Sequence, residues 1–270
     1  NLGTDITSCL GDTVNIGSSC TGCNYLWTPD NQNTAFIDIT TQGLYTLNVI
    51  DANGCKAKDS INIAYNIPPY VMLDSIKNVS CNGYSDGKIF ISVIDGLGPF
   101  SYLWSNTIQT TEDIIGLQNG NYDVTVTDGN GCKDTSSFYI SQPLVLQYDS
   151  VVVKDANCVN SNDGKIYIFA SGGVTPYQYS IDNGLNFTFN NTFSLVEPGI
   201  YSIKVKDYNG CSIDSGNIQV NILNNINLEL GADTVICYGS AIALYAGNPG
   251  ATYYWSPSGS VSQTYFATAA

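Results

Sequence analysis

Val79 to Ser105 reads VSCNGYSDGKIFISVIDGLGPFSYLWS, and Ala156 to Asp182 reads ANCVNSNDGKIYIFASGGVTPYQYSID. Laid over one another, the two stretches share a cysteine, a D-G-K-I turn, an alternating strand and a proline-aromatic segment. A second pair aligns separately: LGTDITSCLGDTVNI from Leu2 with LGADTVICYGSAIAL from Leu230, each continuing to a Y-x-W at Tyr25 to Trp27 and Tyr253 to Trp255. Such self-similarity marks a repeat architecture. The order type one, type two, type two, type one predicts four units, 1–66, 67–143, 144–223 and 224–270, with boundaries near NIPPY, SQPLV and NILNN. The fourth unit stops short of its own glycine-tyrosine strand and D-x-N-G-C turn, so the pattern predicts a chain that continues past Ala270.

Within a unit the hydrophobic period is two. KIFISV (Lys88 to Val93), YDVTVT (Tyr122 to Thr127) and YSIKVK (Tyr201 to Lys206) alternate bulky or β-branched residues with others, between Gly, Pro, Asn and Asp. No segment sustains a helical period. Units of about 70 to 80 residues with roughly seven short strands predict an all-β fold of tandem immunoglobulin-like sandwiches in a linear array. Tyr45, Tyr122 and Tyr201 each stand two residues after a glycine, where a tyrosine corner would form. Trp27, Trp104 and Trp255 fall on the third strand as core residues, while the third unit has Ile181 at that place and must pack differently.

The 270 residues are 43% hydrophobic with a formal charge of −14; all nine basic residues are lysine, and there is no histidine. No nucleic-acid footprint or arginine phosphate clamp is available. No apolar run reaches the roughly 18 residues of a membrane span, and no signal peptide is visible at Asn1. Nine cysteines amid abundant Ser, Thr, Asn and Tyr predict an oxidising, extracellular setting. An enzyme is not expected: histidine bases, nucleophile elbows and phosphate loops are all missing, and a unique active site would break the repetition.

The motif set VSCNGYSDGKIFISV, PFSYLWS and DGNGC resembles the SprB-type repeat of gliding-motility adhesins from Bacteroidetes. The outer units resemble the related PKD-like and immunoglobulin-like modules of proteins exported by the type IX system. The third unit departs from the tryptophan pattern, and the first adds the pair Cys20 and Cys23. The resemblance implies a cell-surface or secreted array used in adhesion or as a filament. Two other readings stay open: a self-assembling multi-chain fibre subunit with no ligand of its own, and an array of carbohydrate-binding modules. The partners implied are other domains of the same long chain, identical parallel chains, or a surface or glycan ligand.

The stretch DANGC (Asp51 to Cys55) returns as DGNGC (Asp128 to Cys132) and DYNGC (Asp207 to Cys211). Asp51, Asp128 and Asp207 are weak calcium candidates, because none of the loops has the ligand number or closing glutamate of a calcium loop. The preferred reading is a hairpin turn: Asn-Gly supplies the positive φ and Asp caps neighbouring amides. No cofactor is otherwise expected.

The pair Cys20 and Cys23 lacks the four ligands of a zinc site and reads as a local disulfide. Cys9, Cys81, Cys158 and Cys237 precede the second strand, and Cys55, Cys132 and Cys211 follow the Asn-Gly turn. The preferred pairing is within units, Cys9 with Cys55, Cys81 with Cys132 and Cys158 with Cys211, which leaves Cys237 to a partner past the chain end. The two turns lie at opposite ends of a seven-strand sandwich, too far apart to be bridged unless the fourth strand is lost or shortened. The alternative pairs neighbours, Cys9 with Cys132 and Cys81 with Cys211. Finally, D-[ST]-apolar triplets mark Thr13, Ser60, Ser75, Ser150 and Thr234 as possible O-glycosylation acceptors, against the plain reading of a turn entering a strand.

Overall fold

A computed structural model describes residues 1–224, 226, 228–248 and 250–268. The described residues form strands, turns and loops with no helix, so no helix is long and apolar enough to cross a membrane. The chain divides into two compact units, Asn1–Pro143 and Leu144–Ala270.

The first unit opens with β1 (Ile6–Cys9), β2 (Val14–Gly17), β3 (Asn24–Thr28), β4 (Phe36–Ile39), β5 (Gly43–Ile50) and β6 (Lys56–Asn66). One sheet runs β1-β6-β5-β3 and the other is the pair β2-β4. Alternation puts Ile37 and Ile39, Tyr45 and Leu47, and Ile61 and Ile63 on the inward face, where they close around Ile16 and a fully buried Trp27. A second sandwich follows: β7 (Tyr70–Lys77), β8 (Gly87–Ile94), β9 (Ser101–Trp104), β10 (Ile114–Leu117), β11 (Gly120–Thr127) and β12 (Lys133–Ile140). Its sheets are β10-β8-β7 and β12-β11-β9, antiparallel throughout. Ile89 and Ile91 face Trp104, Val124 and Val126 across the single core.

Each complete sandwich has six strands where about seven were expected. The missing strand is the fourth, and its place is taken by a loop that crosses between the sheets. In the second sandwich that loop satisfies its backbone through side chains: the Trp104 indole donates to Thr111 O at 2.9 Å, and Gln109 both donates to Ile115 O (2.9 Å) and accepts from Ile115 N (3.2 Å). A ladder partner is then unnecessary.

The second unit repeats this order with β13 (Gln147–Lys154), β14 (Gly164–Ser171), β15 (Gln178–Ser180), β16 (Thr192–Val196), β17 (Gly199–Lys206) and β18 (Ser212–Val220). Its sheets are β13-β14-β16 and β15-β17-β18. Ile181 lies at the core margin, and tyrosines fill the space. Tyr179 is buried with Tyr177 edge-on to it at 6.4 Å, and the Tyr148 hydroxyl reaches over to donate to Ile203 O (3.1 Å) and Ile213 O (3.0 Å). Beyond it, β19 (Ala241–Tyr245) and β20 (Thr264–Thr268) form an antiparallel pair, and Trp255 stacks on Tyr265 at 5.3 Å.

Candidate functional site: the end turns of the sandwiches

The D-x-N-G-C stretches build one structure three times. In each, the aspartate N–H donates to the cysteine carbonyl (3.0, 2.9 and 2.9 Å from Asp51, Asp128 and Asp207), and the glycine N–H returns to the aspartate carbonyl. The side chain closes the same turn: Asp51 Oδ1 accepts from Asn53 N and Cys55 N, both at 2.9 Å, and Asp128 Oδ1 from Asn130 N (2.9 Å) and Cys132 N (2.8 Å). Glycine is required because Gly54, Gly131 and Gly210 sit at φ 82°, 85° and 86°.

In the second and third sandwiches the other carboxylate oxygen is also engaged. Asp128 Oδ2 accepts from Leu97 N (3.1 Å) and Asp207 Oδ2 from Val174 N (2.9 Å), tying the last hairpin to the loop before β9 or β15. Burial raises the Asp128 carboxyl, but backbone amides of Leu97, Cys132, Asn130 and Gly131 outweigh it and hold the group below the usual carboxylate range. The carboxylates singled out as calcium candidates thus serve as turn acceptors, and a cation would have to displace those bonds. Among the described residues no three His, Cys, Asp or Glu side chains gather into a metal-holding group.

The first turns are equally uniform. The carbonyl of Cys9 accepts from Asp12 N (2.9 Å), that of Cys81 from Tyr84 N (3.0 Å), that of Cys158 from Ser161 N (3.1 Å) and that of Cys237 from Ser240 N (3.0 Å).

The disulfides correct the preferred pairing. Cys9 is bonded to Cys132, with Cα atoms 5.5 Å apart and a sequence separation of 123, so the first turn of one sandwich joins the last turn of the next. Cys55 and Cys158 are free and exposed, so neither Cys9–Cys55 nor Cys158–Cys211 forms, and Cys132 is not available to Cys81. Cys81 and Cys211 are each disulfide-bonded, and Cys237 is free.

The reason lies in the direction of β1, which runs parallel to β6 and places Cys9 opposite Asn66. Cys55 precedes the other end of β6, which is 11 residues long. At roughly 3.3 Å per residue that separation is about 35 Å, while a disulfide spans at most about 7 Å between Cα atoms. Losing the fourth strand does not shorten this distance, because the last strand keeps its length. Cys20 and Cys23 are bonded to one another, and the Tyr25 hydroxyl pins their loop by accepting from Cys20 N (2.8 Å) and donating to Cys20 O (2.9 Å).

The remaining singled-out residues fall into two groups. Tyr45, Tyr122 and Tyr201 form tyrosine corners, their hydroxyls donating to Thr41 O (3.1 Å), Gln118 O (3.1 Å) and Glu197 O (2.8 Å), four residues back in every case. Trp27, Trp104 and Trp255 donate to carbonyls seven residues ahead, at 2.9, 2.9 and 2.8 Å. Thr13, Ser60, Ser75, Ser150 and Thr234 are all exposed, and Ser75 and Ser150 sit at matching bulges of β7 and β13. One feature had no sequence signal in the repeat: Asp182, beside Ile181, accepts from Asn186 N (3.0 Å), Asn186 Nδ2 (2.7 Å) and Ser180 Oγ (2.5 Å). Those donors, led by the Asn186 amide, hold its carboxyl at about 2.

The fold and these turns define a class: tandem immunoglobulin-like β-sandwiches with shared end-turn chemistry. The family model of the SprB repeat matches residues 73–107 and 150–186, which lie in the second and third sandwiches. No curated protein sequence matches the chain. Among solved structures, the chain is similar to the N-terminal eight Ig domains of Down Syndrome Cell Adhesion Molecule, at 13% identity and TM-score 0.47, over 83% of this chain and 36% of that one. It is also similar to extracellular domains 3–5 of Drosophila OTK (11% identity, TM-score 0.32, 83% of this chain and 95% of that one). A fragment of intimin in complex with its translocated receptor matches at 10% identity and TM-score 0.30, over 54% of this chain and 64% of that one. The chain thus spans about a third of the length of the eight-domain structure.

Proposed function

We propose that this chain is a non-enzymatic stretch of an extracellular surface fibre, in which sandwiches act in series as stiff beads and the whole serves adhesion. The observation that supports this most is the Cys9–Cys132 bond, which fastens consecutive sandwiches to one another in series. Closing a loop of 123 residues is worth about 5 kcal/mol in the chain-entropy model, an upper figure because the linker already holds the two sandwiches near each other. A bond at that place also limits bending about the short Ile67–Pro68–Pro69 linker, whose prolines have fixed φ. The 14 net negative charges keep such a polymer soluble and self-repelling.

The resemblance to gliding-motility adhesins supports a fibre carried at the cell surface and exported by the type IX route. The five exposed D-[ST] hydroxyls then serve as sugar acceptors, and intact-mass measurement of native protein is expected to exceed the polypeptide mass. A native mass equal to the polypeptide's removes that part of the reading. Electron microscopy of the native object tests the main part: separate stiff threads are expected, and a compact particle contradicts it.

A further inference from the structure

We propose that the outer faces of the second and third sandwiches bind a polymer of carboxylated sugars, each through two lysines set side by side across neighbouring strands. The proposal rests on the adhesion reading above and names a ligand class for it. In register, Lys77 of β7 stands opposite Lys88 of β8, and Lys154 of β13 stands opposite Lys165 of β14. Their strand neighbours Ile76, Ile89, Val153 and Ile166 pack into the cores, so all four lysines face outward. Four of the chain's nine lysines thus form two cross-strand pairs at the same register of two repeats, in a chain with a formal charge of −14.

Like charges directly opposite one another weaken a sheet, so a pair that is built twice calls for a compensating anion. The chain supplies one only in part. The Lys77 ammonium donates to Asp86 Oδ2 at 3.2 Å, but among the described residues no carboxylate pairs with Lys88, Lys154 or Lys165. Asp163, the counterpart of Asp86, is held by the first turn instead, accepting from Asn157 N (3.0 Å) and Ser161 Oγ (2.7 Å). Opposed Cα atoms of an antiparallel pair are about 4.5–5.5 Å apart, close enough for two ammonium groups to converge on one carboxylate. One step along the same face, each central strand carries a half-buried ring, Phe90 or Tyr167, onto which the flat C–H face of a sugar can pack by dispersion. A carboxylate beside a sugar ring is the pattern of a uronic acid. Two such sites in one chain favour a long polymer of it, because the second contact forms at high effective concentration. A second copy of the chain fits this face less well, since it brings another 14 net negative charges.

Binding of the full chain to polygalacturonate, read by biolayer interferometry at low salt, tests this. Saturable binding is expected, falling about 100-fold when either pair is replaced, as Lys77→Gln with Lys88→Gln or Lys154→Gln with Lys165→Gln, because a single site then remains. These variants are expected to fold, since each removes a like-charge pair. Lys56→Gln with Lys58→Gln, which takes the same charge from β6, is expected to leave binding unchanged. No binding by the parent chain, an equal loss from the β6 variant, or equal affinity for dextran sulfate overturns the proposal. So does self-association that the paired-lysine variants abolish, which would give the face to a second copy. Ser75 and Ser150 border the face, opposite Phe90 and Phe169. Ser75→Ala with Ser150→Ala is therefore measured too: retained binding is expected, and its loss would assign the polymer to sugars at those serines and overturn the lysine site. Stiff threads in electron micrographs that hold no polygalacturonate reject this inference alone and leave the fibre reading standing.

Discussion

Tyr122 shows how a single residue sets a local shape: Gly120 turns the chain, and the hydroxyl bonds back to Gln118 O at 3.1 Å. Tyr122→Phe keeps the ring in the core and removes that bond, so a loss of about 0.5–1.5 kcal/mol is expected from urea unfolding. Tyr139→Phe, at an exposed ring, is expected to change nothing measurable. Asp182 gives a pH dependence with a definite sign. Its folded-state value of about 2 lies below the ordinary 3.8, so its contribution is complete above pH 3.8, is shed as pH falls toward 2, and is gone below both. Asp182→Asn is therefore expected to flatten the fall in urea midpoint over that window, and parallel curves for the two proteins would contradict the assignment. The tyrosine corners were legible from the Gly-x-Tyr spacing alone. The Asp182 network was not, because it belongs to a departure from the repeat and its partners, Ser180 and Asn186, carry no pattern of their own.

At the scale of elements, period-two alternation was enough to place β8, β11 and β17, since each buries one face and a one-residue slip would turn the whole set outward. The absent fourth strand was not legible, because a polar crossing loop and a short edge strand have similar composition. The Cys9–Cys132 bond was legible only as the second of two pairings, because the choice depends on β1 running parallel to β6, a pairing between segments some 57 residues apart. The only written trace is the length of β6, which separates the two turns. Trp104 and Ile181 test the core argument as a pair. Trp104→Ala is expected to cost about 3–5 kcal/mol, as for a large buried aromatic. Ile181→Ala, at a core margin already filled by tyrosines, is expected to cost clearly less by the same unfolding measurement, and equal losses would show that Ile181 carries the core as Trp104 does.

For the whole molecule, the repeat and its strand pattern were enough to indicate an array of sandwiches, while the choice between the two ways of fastening its beads required three dimensions. A bond between consecutive sandwiches changes what happens under tension, because residues between Cys9 and Cys132 cannot extend while it is intact. Fully extended chain spans roughly 3.3–3.6 Å per residue, so the 123-residue loop conceals about 400 Å of length. The most direct test is single-molecule stretching of the first two sandwiches, held at Asn1 and Pro143, with and without reductant. The fibre account predicts a short extension in the oxidised form and a gain of about 400 Å on reduction. Two separate shorter gains, as bridges within each sandwich would give, or the same length in both forms, would contradict it.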